Sequence, residues 1–103
     1  MQSVDDAVAA IAHPGRRELL RLVLNEERSA GELAARVGMK QPAASQHLNV
    51  LREAGLVTVR SDGQRRMYRV DFEGLARLRS ELDALWGPSL QALKDAAERG
   101  DWP

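Results

Sequence analysis

The stretch from Gly31 to Gly55 limits the fold of this chain more than any other. Leu33, Ala34 and Val37 are apolar at i, i+1 and i+4, the spacing of one buried helix face. Gly38 stands where a left-handed residue would close that helix, because a residue without Cβ takes positive φ at little cost. Pro42 falls in the first turn of a second helix, where its missing N–H leaves no bond unmade. Ala44, Leu48 and Leu51, at i, i+4 and i+7, give this second helix an inward stripe. Small Ala34, four residues before Gly38, lets the two helices cross closely. The pattern is a helix-turn-helix over residues 29–55, and the outer face of its second helix carries Gln41, Ser45, Gln46 and Asn49. Short amides and hydroxyls of this kind reach base edges in a DNA major groove.

The formal net charge is zero, so a DNA-binding reading depends on where the charge lies and not on its sum. Residues 1–39 carry five basic and six acidic side chains, and residues 71–103 carry four basic and seven acidic. Between them, residues 40–70 hold six basic side chains (Lys40, Arg52, Arg60, Arg65, Arg66, Arg69) against two acidic ones (Glu53, Asp62). Positive charge therefore gathers on the second helix of the motif and directly after it. Cysteine is absent, which excludes disulfides, thiolate metal sites and thiol redox sensing. No apolar run approaches the roughly 20 residues that span a bilayer, and the acidic, polar start of the chain is unlike a targeting peptide. The expectation is a cytoplasmic protein with no membrane partner. At 103 residues it is expected to be a single domain, residues 1–103, with a modest core that oligomerisation would help.

The flanking segments fit around the motif. Val4, Ala7, Val8 and Ile11 form one face of a first helix over residues 3–12, with Ser3 as N-cap. His13-Pro14 stops it, since the residue before proline is pushed out of the α region. Pro14 then opens a second helix, from Gly15 to about Leu24, with Leu19, Leu20 and Val23 inward. His13 has no histidine or carboxylate partner at helical spacing and reads as a cap or packed connector. Ser29 and Glu32 have capping-box spacing.

After Gly55 the period changes. Leu56 to Arg60 is β-branched, Ser61-Asp-Gly-Gln64 is turn chemistry and Arg65 to Val70 alternates, which predicts a hairpin over residues 56–70. Tyr68 and Val70 face inward, and Arg65 and Arg69 share the other face with Met67. A basic hairpin after such a helix is a wing, whose arginines lie along phosphates or enter the minor groove.

Asp71 caps a last helix over residues 72–98, with Leu75, Leu78, Leu82, Leu85, Trp86, Leu90, Leu93 and Ala97 along one stripe. Gly87-Pro88 is expected to kink or split it near residues 84–88. This helix is longer than the core requires. A homodimer built on the first and last helices follows, with Val4, Val8, Ile11, Leu78, Leu82, Leu85, Trp86, Leu90 and Leu93 at its interface. The fold class is mainly α with a small β-hairpin (α+β), a winged helix-turn-helix of four helices, two strands and a fifth helix.

Three runs carry a family resemblance: Ala12-His-Pro-Gly-Arg-Arg-Glu-Leu-Leu20, Met39-Lys-Gln-Pro-Ala-Ala-Ser-Gln-His-Leu-Asn-Val-Leu-Arg-Glu-Ala-Gly-Leu-Val57 and Arg65-Arg-Met-Tyr-Arg-Val70. With Gly31-Glu-Leu-Ala34, they resemble the ArsR/SmtB-type winged-helix repressors over roughly residues 4–98. The branch most alike lacks the metal-sensing sites and carries a tryptophan where Trp86 stands. The resemblance implies a dimeric transcriptional repressor of double-stranded DNA that occludes a promoter at an inverted repeat. It places base readout on Gln41, Pro42, Ser45 and Gln46 and has His47 support or touch a phosphate. The residues themselves place further backbone contacts on Lys40, Arg60, Arg65 and Arg66.

Two positions depart from the family pattern. Lys40 stands where Ser or Thr commonly caps the recognition helix, and Gly15 stands where Thr is usual. Metal-sensing members use cysteines near the third helix or Asp, His and Glu on the last. With no cysteine here and no histidine in the last helix, no metal and no cofactor are expected. Enzyme chemistry is not expected either: Ser45 and His47 are two apart on a helix and do not face each other. Two alternatives stand beside the main reading. One is a small organic effector held at the dimer interface near Trp86 and Gly87-Pro88. The other is a protein-interaction module, which an acidic wing and an acidic recognition helix would mark; both are neutral or basic here.

Overall fold

The computed structural model describes residues 4–100, apart from the side chains of Val4, Leu85, Trp86 and Ser89. The cap expected of Ser3 and the interface roles expected of Val4, Leu85 and Trp86 lie outside the described residues. The chain forms α1 (Val4–Ile11), α2 (Pro14–Leu22), β1 (Arg28–Ser29), α3 (Ala30–Val37), α4 (Gln41–Glu53), β2 (Val57–Asp62), β3 (Arg65–Val70) and α5 (Phe72–Arg99).

Local chemistry sets the helix ends. His13 caps α2, its Nδ1 accepting the Gly15 N–H at 3.0 Å, with Pro14 in the first turn. Ser29 Oγ accepts the Glu32 N–H at 3.2 Å. The Glu32 carboxylate takes the guanidinium groups of Arg28 and Arg36, so only the serine half of the capping box is made. Gly38 closes α3 at φ 73°, and Asp71 caps α5 by accepting the Gly74 N–H at 3.1 Å.

The wing is a three-stranded antiparallel sheet in the order β1-β3-β2, not the hairpin alone. The hairpin pairs Val57 with Val70 and Asp62 with Arg65, and Gly63 turns it at φ 63°. The two-residue β1 adds Arg28 opposite Tyr68. The Arg28 side chain fixes that short edge by donating to the Leu22 carbonyl at 2.7 Å.

Leu19 of α2, Leu33 of α3, Leu48 and Leu51 of α4, and Leu56 are fully buried, with Tyr68 and Val70 of the sheet closing the same core. The inward stripes read from the two central helices are therefore the ones that pack.

Two expectations are corrected on α5. The helix runs unbroken from Phe72 to Arg99 with Pro88 inside it, so it is not split. Gly87 and Pro88 are solvent-exposed, so the carbonyl that loses its helical partner to proline can face water instead of a packed core. Leu78 is 5% exposed and belongs to this chain's own core, with Leu75 and Leu82 packed beside it; it is not left over for a dimer face. Beyond Leu82 the helix leaves the core. The molecule measures 60 × 29 × 21 Å with a radius of gyration of 17.2 Å, against about 13 Å for a compact 100-residue domain. On the projecting half, Leu90 is 62% and Leu93 49% exposed. No helix among the described residues is long and apolar enough to cross a membrane.

Candidate nucleic-acid interface

The fold presents α4 and the wing on one side. Ala44, Leu48 and Leu51 anchor α4 in the core, which leaves Gln41, Pro42, Gln46 and Asn49 exposed and Ser45 half-buried. Gln41 and Ser45, from the first two turns of α4, share an open groove of about 340 Å³ with Gln64, Arg65 and Arg66 of the wing. Ser29, Ala30 and Gly31, at the start of α3, form its floor. A Cβ added to Gly31 would lie 3.6 Å from Gln41 Oε1, an ordinary contact distance, so the Gln41 amide stands beside the start of α3 at the groove edge. Amide, hydroxyl and guanidinium groups thus converge in one concave surface, the mixture that base edges and phosphates require.

The basic residues are not equivalent. Among the described residues Arg66 and Lys40 are exposed and make no ion pair. Arg65 meets Asp62 at 3.3 Å with both side chains well exposed, a contact worth little and readily exchanged for a phosphate. Arg60 lies elsewhere: its Nε and Nη2 donate to the Glu27 carboxylate at 2.8 and 2.6 Å. That hydrogen bond holds the Glu27 carboxyl below its ordinary range. Arg60, Glu27, Arg69 and the exposed Phe72 line a second groove of about 400 Å³, separate from the one shared by α4 and the wing tip. His47 is half-buried, with its ring centroid 4.5 Å from that of His13. Burial is the largest cause that holds its pKa below the ordinary value, followed by the charges of His13 and Arg16.

Sequence reasoning missed Gln64, Glu27 and the His13–His47 contact. The wing-turn position of Gln64 was a usable signal. Neither of the other two pairings has one, since Glu27 and Arg60 are 33 residues apart and the two histidines meet only through the tertiary fold.

Lys40 occupies the N-cap of α4 at φ −69° and ψ 146° with no side-chain cap bond. Replacing it by serine supplies the acceptor. Lys40→Ser is expected to stabilise the fold by about 1 kcal/mol, read as a higher denaturation midpoint, and to weaken DNA binding at low salt. A lowered midpoint contradicts the cap assignment.

An α-helical pair with a tight glycine turn, followed by a basic antiparallel wing, defines a winged helix-turn-helix DNA-binding domain. Residues 13–59 match the family described as bacterial regulatory protein, arsR family. An HTH-type transcriptional regulator of Mycobacterium tuberculosis is 42% identical over 89 residues, 86% of this chain and 83% of that protein. A crystal structure described as a possible transcriptional regulator for arsenical resistance superposes with TM-score 0.74 at 47% identity, covering 79% of this chain and 84% of that one. The solution structure of a homodimeric winged helix-turn-helix domain from Mycobacterium bovis gives TM-score 0.68 at 33% identity, covering 80% and 76%. The chain belongs to the ArsR family of DNA-binding transcriptional regulators.

Proposed function

We propose that this protein is a homodimeric repressor that binds an inverted repeat and blocks a promoter by occupying it. The observation that carries this is the shared groove, which joins the first two turns of α4 to the wing tip. Gln41, Ser45 and Gln46 read base edges, with Gln suited to adenine N6 and N7, and Pro42 offers an apolar contact at the helix start. Lys40, Arg65 and Arg66 hold the backbone without regard to sequence. Arg60 stands apart from this set, in a separate groove, with its Nε and Nη2 both donating to Glu27. Two-fold symmetry spaces the half-sites about one helical turn apart, roughly 34–36 Å.

Exposed Leu90 and Leu93, three apart on the projecting half of α5, support a second copy as the partner. Leu90→Asp with Leu93→Asp is expected to convert dimer to monomer in sedimentation at micromolar concentration, and to cost most of the operator affinity. A variant that still sediments as the parent does would move the interface elsewhere.

Selection of bound fragments from a random duplex pool tests the function as a whole. Enrichment of an inverted repeat is expected. Enrichment of isolated half-sites, or none at all, counts against a two-fold repressor.

A further inference from the structure

His13 and His47 are distant in sequence, yet their ring planes meet at 41° with centroids 4.5 Å apart. The contact joins the α1–α2 corner to the middle of the helix that reads DNA. A Cβ added to Gly15 would come within 2.6 Å of Met39 Cε, the movable end of that side chain, and 3.0 Å of His13 Cε1. The start of α2, the turn between α3 and α4, and α4 itself therefore meet at one place. His13 Nδ1 accepts the Gly15 N–H, which assigns its own proton to Nε2. Arg16 is fixed nearby, its Nε donating to the Ala10 carbonyl at 2.7 Å and its Nη2 to that of Ala9 at 3.4 Å.

Among the described residues, the charged groups acting on His47 are His13, from the corner, and Arg16, from α2. Asp6 of α1 and Glu53 of α4 line the next groove along, together with Arg16. The immediate surroundings of His47 therefore add burial and positive charge, both of which favour its neutral ring.

We propose that His13 is a positioning residue of the DNA interface: its ring, packed on His47, sets α4 against α2, and protonation of His47 loosens that joint and weakens DNA binding. The proposal rests on the DNA-binding role of α4 given above. A proton on His47 sets a cation beside the anchored guanidinium of Arg16. The sign follows from linkage. His47 in the closed joint is held below its ordinary pKa of 6.5, so the opened state binds more protons. The stabilisation from the closed joint is fully present above the ordinary pKa and is lost as pH falls through the lower folded value. A phosphate lying on His47 would give the opposite trend, because it favours the protonated ring.

The test is fluorescence anisotropy with a labelled duplex recovered by selection, at constant ionic strength. Affinity of the unaltered chain is expected to fall between about pH 7.5 and about pH 5.5, by up to about tenfold per protomer. His13→Asn keeps a capping acceptor but not the ring that packs on His47. It should bind a few-fold more weakly than the parent at the upper pH, because the ring contact is lost, and lose little more at the lower. The His47 ring resonance, followed by NMR, should titrate below 6.5 in the parent and move upward in His13→Asn. Parent affinity that is flat or rises on acidification overturns the proposal, as does a variant whose affinity falls as steeply as the parent's. No binding by either protein at the upper pH overturns the DNA-binding role itself, and this inference with it.

Discussion

Gly74→Ala is expected to destabilise the fold by about 3 kcal/mol or more. An alanine in a helix ordinarily gains close to 1 kcal/mol over glycine, so the expected sign is the reverse of the propensity rule. The cause is a backbone contact. A Cβ at residue 74 would lie 1.7 Å from the Gly55 carbonyl oxygen and 2.8 Å from its carbonyl carbon. Neither side can yield easily. Gly55 is held at φ 81° after α4, and Leu56 donates back to the Leu51 carbonyl at 2.9 Å. Asp71, the α5 cap, donates to the Leu56 carbonyl at 2.8 Å. The end of the recognition helix, the start of the wing and the start of α5 are thus locked at one corner. Denaturant unfolding followed by circular dichroism would check this, and a variant as stable as the parent would show that the corner is looser than described.

Arg65→Ala with Arg66→Ala is expected to lower DNA affinity by at least about tenfold near physiological salt, and to reduce the salt slope by about 2 per protomer. The loss should be nearly the same for every sequence tested, because guanidinium groups at the wing tip meet phosphates and not base edges. Gln41→Ala should behave differently. It is expected to relax preference at one base pair, with about 1–3 kcal/mol of discrimination lost, and to leave the salt slope nearly unchanged. Titrations at several salt concentrations on the selected duplex and on an unrelated one separate the two effects. A wing variant that keeps its slope would remove Arg65 and Arg66 from the backbone contacts.

Much of this arrangement was legible in the sequence because it is local. The apolar spacing of Leu33 to Val37 and of Ala44 to Leu51, Gly38 at the turn, and alternation from Arg65 to Val70 each report a short-range constraint that the fold keeps. The failures are instructive for the same reason. β1 spans only two residues, too few for any period to register, and exists because β3 offers it an edge. Gly87-Pro88 predicted a kink or a split, and the split is absent because an exposed helix tolerates one missing bond. Leu78 shares its stripe with Leu90 and Leu93, and only the tertiary fold decides which leucines the chain buries in itself. The role of Gly74 depends on Gly55, 19 residues earlier, which no periodicity links to it.

The most direct measurement of the central claim, that α4 and the wing tip form one DNA-binding surface, is hydroxyl-radical footprinting on the selected duplex. The parent should protect two stretches on one face about one helical turn apart, each flanked by backbone protections. In Arg65→Ala with Arg66→Ala the flanking protections should vanish while the central ones persist at raised protein concentration. A footprint in which the flanks survive the double substitution would contradict it.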